Sequence, residues 1–349
     1  MQCISTDLRI SLIRSKYGAG GFGADGYGTA TSNFFWSTTD DERFQYAAIA
    51  SDSDAVYAAG LGTAVAAVNK LSGSPTWRFD RQGSLVDSTP TIDTERLYVG
   101  SGSGTVYALG LDDGAPEWTA DIDSAVASSP TVASGTVFVG TNDGQICAID
   151  ATSGAEIWSA VVGASVYSAP ATDGATVYVT AADGTVAALS VSDGDEIWSV
   201  AVTADTLRAN PIVTTAGVVV AGSDLQLLDT ETGDALWTLT AAGSGETTPL
   251  VADGTIYATD ESGILRAVAV DSGQADWTLT LGSTVHATPL LNDGILYVGT
   301  DDGDLVAIDP ETGTETDRWQ LGGRIMTPTV VGSTIYAPTW GGSIRVVAV

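Results

Sequence analysis

The chain has 349 residues and a formal net charge of −30, from 13 Lys and Arg against 43 Asp and Glu. Such a charge repels nucleic acids and anionic membranes, so we expect neither as a partner. Hydrophobic residues make up 44% of the chain, which is enough for a large core, but they form no run that could span a bilayer.

The first 30 residues lack the pattern of the rest and are assigned to an N-terminal extension, residues 1–30. Ile4 to Ile13 is predicted to form a short strand, and the glycine-rich stretch 18–28 to form a flexible linker. These residues contain no apolar signal core and no twin arginine, and no small-residue lipidation box precedes Cys3. We therefore expect no export signal in the chain as given, and a cytoplasmic or cell-surface location stays open.

From residue 31 to 349 the sequence repeats with a period of about 40 residues, as judged from tryptophan. The intervals between successive tryptophans are 41, 41, 40, 40, 39, 40 and 42 residues. The tryptophans in this register are Trp36, Trp77, Trp118, Trp158, Trp198, Trp237, Trp277 and Trp319. Prolines recur in step with them, from Pro90 to Pro328.

Each unit is predicted to contain four short antiparallel strands. In the unit 128–158, the first strand follows Ser129-Pro130, TVFVG forms the second, ICAID the third, and the fourth carries Trp158. Alternating β-branched and aromatic residues favour half-buried strands, and the glycines suit tight turns. This repeat predicts an all-β fold, a propeller built of four-stranded antiparallel blades.

The two ends of the repeat region predict how the ring closes. After seven complete units, residues 324–349 supply three further strands but no fourth. The segment 31–38, with Trp36, resembles a fourth strand that lacks its first three. We expect it to complete the last blade and close an eight-bladed ring, which also covers an edge that would favour aggregation. The alternative is a stray strand beside an open eighth blade.

A short motif recurs in the units and carries a family resemblance. Ala-x-Asp-x-x-x-Gly-x-x-x-Trp, at Ala148, Asp150, Gly154 and Trp158, is similar to the tryptophan-docking motif of the pyrroloquinoline-quinone (PQQ) type propeller repeat. Related copies are Ala67-Gly73-Trp77, Ala108-Gly114-Trp118, Ala188-Gly194-Trp198 and Ala267-Gly273-Trp277. The resemblance covers residues 31–349 and implies that each Trp stacks between blades over the small Ala. We therefore assign these tryptophans a structural role.

The resemblance extends to two groups of proteins that differ in chemistry. For PQQ-dependent alcohol dehydrogenases it implies two adjacent disulfide-bonded cysteines, a Ca²⁺ held by carboxylate and Asn, and an Asp base. This chain has only Cys3 and Cys147, which are not adjacent, and the long insertions of those enzymes are missing. Non-catalytic scaffolds of the BamB type match better in blade count and loop length. We expect such a scaffold, with no catalytic residues, no metal and no cofactor, and keep a PQQ-dependent dehydrogenase as the remote alternative.

Two other features are interpreted as ordinary parts of the fold. Cys147 falls in a predicted third strand, where a small buried residue fits. The run Asp301-Asp302-Gly303 resembles a cation-binding sequence, but it occupies the same turn as Asn142-Asp143-Gly144. Because His286 is the single histidine, a multi-histidine metal site is excluded.

Positions that vary between units indicate where function lies. Three residues before each proline, the chain turns into the innermost strand at the mouth of the central channel, where Ala127 and Ile325 fill two positions. The second-to-third strand turn of the last blade adds a tryptophan at the same mouth. The candidate binding residues are Tyr46, Asp87, Tyr167, Arg208, Glu246, His286, Arg324 and Trp340.

These residues predict a binding surface for a protein partner, with cationic groups and aromatic anchors side by side. One alternative is a sensor for a small ligand or sugar at the same mouth. Another is that these are plain turn residues that close the channel through salt pairs such as Arg208–Glu246.

The acidity resembles that of proteins from salt-loving archaea. Only Lys16 and Lys70 are lysines, and the carboxylates are spread along the chain. Such a surface keeps a protein soluble where salt screens its self-repulsion. We expect a halophilic monomer.

Overall fold

The computed structural model describes residues 9–13, 35–39, 49–59, 64–70, 74–80, 88–202, 206–243, 246–260, 262–331, 333–340 and 343–348. Within these residues every regular element is a β-strand, which confirms the all-β prediction. They include no helix long and apolar enough to cross a membrane.

Seven blades are four-stranded antiparallel sheets whose strands follow one another in chain order. Blades 1 to 4 consist of β3 (Ile49–Ser51), β4 (Ala55–Ala59), β5 (Ala64–Asn69), β6 (Pro75–Asp80); β7 (Thr91–Ile92), β8 (Arg96–Gly100), β9 (Thr105–Gly110), β10 (Pro116–Asp121); β11 (Thr131–Ala133), β12 (Thr136–Gly140), β13 (Gln145–Asp150), β14 (Glu156–Val161); and β15 (Ala171–Thr172), β16 (Thr176–Thr180), β17 (Thr185–Ser190), β18 (Glu196–Ala201).

Blades 5 to 7 repeat this arrangement, and blade 8 has three strands from the C-terminal part of the chain. They consist of β19 (Ile212–Val213), β20 (Val218–Ala221), β21 (Leu225–Leu228), β22 (Ala235–Leu239); β23 (Leu250–Ala252), β24 (Thr255–Thr259), β25 (Ile264–Ala269), β26 (Ala275–Thr280); β27 (Leu290–Asn292), β28 (Ile295–Gly299), β29 (Asp304–Ile308), β30 (Glu315–Gln320); and β31 (Thr329–Val331), β32 (Thr334–Thr339), β33 (Ser343–Ala348).

An N-terminal strand closes the ring of eight blades. β2 (Phe35–Thr39) lies alongside β33, the third strand of blade 8, at the position of the missing fourth strand. β1 (Arg9–Ile13) pairs with β2 on its other side, with Leu12 opposite Trp36. The sequence predicts both strands but not that they pair with each other. Residues 14–34 lie outside the described part, so the division at residue 30 stays a prediction.

The fourth-strand tryptophans join each blade to the next. The Nε1 of Trp158 donates a hydrogen bond of 2.8 Å to the carbonyl oxygen of Val191 in blade 4. The same bond recurs in five other pairs: Trp77–Leu111, Trp118–Ala151, Trp198–Thr230, Trp237–Val270 and Trp277–Pro310. The indole plane packs on the glycine of the next blade, because a Cβ on Gly194 would lie 2.6 Å from Trp158 Cε3.

The motif alanine therefore lies elsewhere than the resemblance implies. Ala148 is opposite Trp158 in the neighbouring strand of the same blade, not beneath the indole in the next one. In blade 7 the motif glycine and tryptophan, Gly313 and Trp319, are six residues apart instead of four. Trp319 therefore lies opposite Leu305, and Asp317 lies opposite Ala307. The side chain of Trp36 lies outside the described part, so its docking role stays a prediction.

The residues before the prolines connect the innermost strands around the channel. Their side-chain oxygens accept hydrogen bonds from backbone N–H groups of the preceding blade. The bonds are Thr89 N to Ser129 Oγ, Ala169 N to Asn210 Oδ1, Asn210 N to Thr248 Oγ1 and Thr288 N to Thr327 Oγ1. This belt satisfies donors that no sheet neighbour can reach, and it fixes the frame that carries the channel mouth.

Candidate functional site

The connections between blades and the second-to-third strand turns lie on one face of the ring, here called the channel-mouth face. In blade 7, Asp301 N in the turn donates to Thr284 O in the connection, at 2.9 Å. In blade 8, Trp340 N donates to Arg324 O, also at 2.9 Å. These equivalent bonds place Trp340 at the position that Asp301 occupies in blade 7, directly beside Arg324.

The register of blade 8 differs by one residue from the predicted one. Ile325 N donates to Thr300 O, as Val166 N donates to Thr141 O, so these two residues are equivalent. Both are fully buried. Since the chain has one residue fewer between this buried position and the proline, Ile325 does not line the mouth, and the prediction for it is wrong. Met326 takes the position equivalent to His286.

Four side chains form a connected cluster across blades 7 and 8. His286 Nδ1 lies 3.0 Å from Asp301 Oδ1, and Arg324 Nε lies 3.2 Å from the same oxygen. The guanidinium carbon of Arg324 lies 4.8 Å from the ring centroid of Trp340. Two basic side chains from neighbouring blades thus share one carboxylate, and one of them also packs on an indole.

The cluster is open to solvent and not fully satisfied. The side chains of His286, Asp301 and Arg324 are 29%, 27% and 26% exposed. Although Arg324 Nε is close to Asp301, its N–H is not aligned for a hydrogen bond, and that nitrogen is buried without a hydrogen-bond partner.

A second pair lies on the same face at blades 4 and 5. The guanidinium carbon of Arg208 is 4.5 Å from the ring centroid of Tyr167. Arg208 is exposed, whereas Leu207 beside it is fully buried and anchors the connection. Glu246, at the equivalent position in blade 6, is also exposed. The predicted candidates Tyr46 and Asp87 lie outside the described residues.

Asp301 is the site residue that the sequence interpretation missed. Its turn resembles Asn142-Asp143-Gly144, so its carboxylate is indistinguishable from other turn aspartates by spacing alone. The usable signal is that the only histidine and an arginine flank this turn in the two adjoining connections. In the described part of the chain, no three His, Cys, Asp or Glu side chains are grouped to hold a metal ion.

Cys147 does not fit a quinone site. It lies in β13, where its side chain is buried, and burial raises the pKa of its thiol to about 12. A buried protonated thiol inside a blade cannot contact a group bound at the channel mouth. Cys147 is the single cysteine among the described residues, so they do not contain the adjacent cysteine pair that the resemblance to the dehydrogenases implies. The absence of a cofactor stays a prediction.

Comparisons with known proteins agree with this architecture. A family model described as outer membrane protein assembly factor BamB matches residues 61–210 and 215–349. BamB from Moraxella catarrhalis is 23% identical, with a TM-score of 0.75, over 88% of this chain and 96% of that one. The computationally designed protein Ika8 is 19% identical, with a TM-score of 0.79 and the same shares of both chains.

Enzymes share the fold as well. The quinohemoprotein alcohol dehydrogenase from Comamonas testosteroni is 14% identical, with a TM-score of 0.74, over 88% of this chain and 74% of the enzyme. At such identities the likeness to these structures shows the fold alone. No curated protein matches the chain. Because the family model covers well over half of the sequence, the chain belongs to the family of the outer membrane protein assembly factor BamB, whose propellers are built from PQQ-type repeats.

Proposed function

We propose that this protein is a non-catalytic scaffold that binds a protein partner through its channel-mouth face. One observation carries the proposal: two arginine–aromatic pairs, Arg208–Tyr167 and Arg324–Trp340, are presented on one face of a chain with a net charge of −30. Arginine and aromatic side chains are the residue types that dominate binding energy in protein interfaces. The family membership supports the same coarse function.

The spread of the site favours a macromolecular partner over a small ligand. The two pairs belong to blades 4 and 5 and to blades 7 and 8, and Glu246 lies in the connection between them. A small molecule contacts one such cluster, whereas a protein surface can contact both. The short loops of a closed ring also lose little conformational entropy when a partner docks.

The partner is identified by photo-crosslinking from the face itself. A photoreactive amino acid replaces Tyr167 in one variant and the exposed Thr152, in a third-to-fourth strand turn on the opposite face, in the control. The crosslinked protein is then purified, and its affinity for the wild type and for the Arg324→Ala, Trp340→Ala double variant is measured.

We expect crosslinks from position 167 and not from 152. The double variant should bind about tenfold or more weakly, with a melting temperature lowered by only a few degrees, since it loses one cation–π contact and one partly exposed ion pair. Equal crosslinking from both faces, or wild-type affinity in the double variant, contradicts the proposal. A double variant that unfolds assigns the cluster to stability instead.

A further inference from the structure

Exposed apolar side chains lie on the outermost strands of three consecutive blades at the rim of the propeller. Among the described residues, the exposed large hydrophobic side chains are Ile157, Val161, Ile197 and Leu236, at 49%, 72%, 50% and 53% exposure. They lie in β14, β18 and β22, the outermost strands of blades 3, 4 and 5. These four residues are here called the apolar stripe.

Three members of the stripe occupy one structural position, a β-bulge. In blade 3, Trp158 is opposite Ala148 and Glu156 is opposite Ile149, so Ile157 is the extra residue between them. The same register shift makes Ile197 the extra residue of blade 4 and Leu236 that of blade 5. The equivalent residues of the other four described bulges are all polar: Thr76, Glu117, Asp276 and Thr316.

The fold does not require an apolar residue at this position. The side chain is half exposed, and blades with Thr, Glu or Asp form the same bulge. Bulges and charged residues on outer strands normally keep exposed sheet edges from associating. Blades 3 to 5 have an apolar residue at this bulge, whereas the neighbouring blades 2 and 6 have a polar one. An exposed apolar residue that the fold does not need is typical of an interaction surface.

The charges around the stripe define the chemistry of its occupant. Glu156 and Glu196 directly precede Ile157 and Ile197, Asp234 precedes Leu236 by two residues, and all three carboxylates are exposed. Residues 131–239, which span the three blades, contain 13 Asp and Glu but a single basic residue, Arg208, which lies on the channel-mouth face. The stripe is therefore apolar and flanked by negative charge alone.

We propose that the apolar stripe binds a segment of a partner protein that presents large apolar side chains flanked by Lys and Arg. Its apolar groups cover Ile157, Ile197 and Leu236, and its cations pair with the flanking carboxylates. A second copy of this chain is the poorer occupant, because two acidic stripes on molecules with a net charge of −30 repel each other. This surface is separate from the channel-mouth face.

The test uses three synthetic peptides and measures dissociation constants by fluorescence anisotropy. The first alternates Leu and Lys, the second replaces Leu by Ser, and the third replaces Lys by Glu. We expect binding of the first peptide alone, and binding that weakens but persists at about 1 M salt, where charge attraction is screened within ~3 Å. Equal binding of the Leu-free peptide, or of the Glu peptide, overturns the proposal.

The stripe variant is built from residues that the same bulge already accepts. Ile157→Glu, Ile197→Thr and Leu236→Asp together copy the residue types of blades 2, 1 and 6 and add two negative charges. If charge alone held the Leu/Lys peptide, the added carboxylates would make this variant bind it more tightly than the wild type. We expect the opposite, a dissociation constant about tenfold or more higher, because the apolar contact is lost.

A matched pair of gain variants completes the experiment. Asp276→Leu extends the stripe into blade 6 and is expected to tighten binding, whereas Thr76→Leu, in blade 1, is expected to leave it unchanged. A melting curve of each variant separates loss of binding from loss of fold. The proposal is overturned if the triple variant binds the peptide with wild-type affinity. It is also overturned if the wild type is a dimer in sedimentation and loss of that dimer is the only change in the triple variant, since the stripe would then join two copies of this chain.

Discussion

Gly194 lies directly beneath the indole of Trp158, and its backbone occupies the left-handed region at φ +77°. A Cβ there would meet Trp158 Cε3 at 2.6 Å. We predict that Gly194→Ala lowers the free energy of unfolding by about 3 kcal/mol, since it combines a positive φ with a clash in the contact between blades 3 and 4. Denaturant unfolding followed by tryptophan fluorescence measures the change.

Gly174 provides a matched control for the backbone contribution. It also has a positive φ, +96°, but a Cβ there has no atom within 4 Å. Gly174→Ala is therefore expected to cost only about 1 kcal/mol, the conformational part alone. Equal losses in the two variants would show that the Trp158 contact contributes nothing beyond backbone strain.

That the tryptophans join neighbouring blades was predictable from the sequence, because they recur with a fixed period, and the eight-bladed ring follows from counting them. The glycine beneath each indole was not predicted, since the motif alanine was expected there, and that alanine lies opposite the tryptophan within its own blade. Asp301 was not predictable in this way, because its role depends on His286 and Arg324 reaching one turn from two different connections. A single missing residue before Pro328 was enough to misplace Ile325, since registers read by counting fail wherever one unit differs in length.

The aspartate at the first-to-second strand turn of blade 2 links stability to pH. Burial raises the pKa of Asp93, but hydrogen bonds from Glu95 N, Tyr98 Oη and Arg96 N outweigh it and hold the pKa below its ordinary value of 3.8. A depressed pKa means that the ionised group stabilises the fold above pH 3.8, and that this stabilisation disappears as the pH falls through the lowered pKa.

We therefore predict that Asp93→Asn is less stable than the wild type by about 1 kcal/mol at neutral pH, a value kept small by solvent screening. The difference should shrink as the pH falls below 3.8 and the wild-type carboxylate becomes protonated. Urea unfolding of both proteins across pH measures it, and Asp302→Asn, at an exposed turn residue, controls for the loss of one charge. A difference that persists unchanged at low pH would assign the effect to geometry rather than to charge.

The excess of 30 negative charges predicts a salt-dependent fold. Self-repulsion destabilises the compact state, and screening removes most of it by about 1 M salt, where the Debye length is ~3 Å. We expect the melting temperature to rise steeply with KCl up to that concentration and slowly beyond it. Calorimetry across a KCl series tests this, with sucrose as a non-ionic control that stabilises by exclusion without screening. A flat or falling melting temperature below 1 M would contradict the halophilic interpretation of the sequence.

The contact between Arg208 and Tyr167 predicts that the channel-mouth face is ordered before any partner binds. With the guanidinium carbon 4.5 Å from the ring centroid, the pair should contribute about 0.5–1 kcal/mol, the range for exposed cation–π contacts. A double-mutant cycle with Arg208→Met and Tyr167→Leu measures this coupling from free energies of unfolding. The same cycle with Tyr167→Phe is the control, because phenylalanine keeps the ring and should keep most of the stabilisation. Zero coupling in the leucine cycle would mean that the Arg208 side chain is not held on the Tyr167 ring in the unbound protein. Ordering that side chain on binding would then cost conformational entropy.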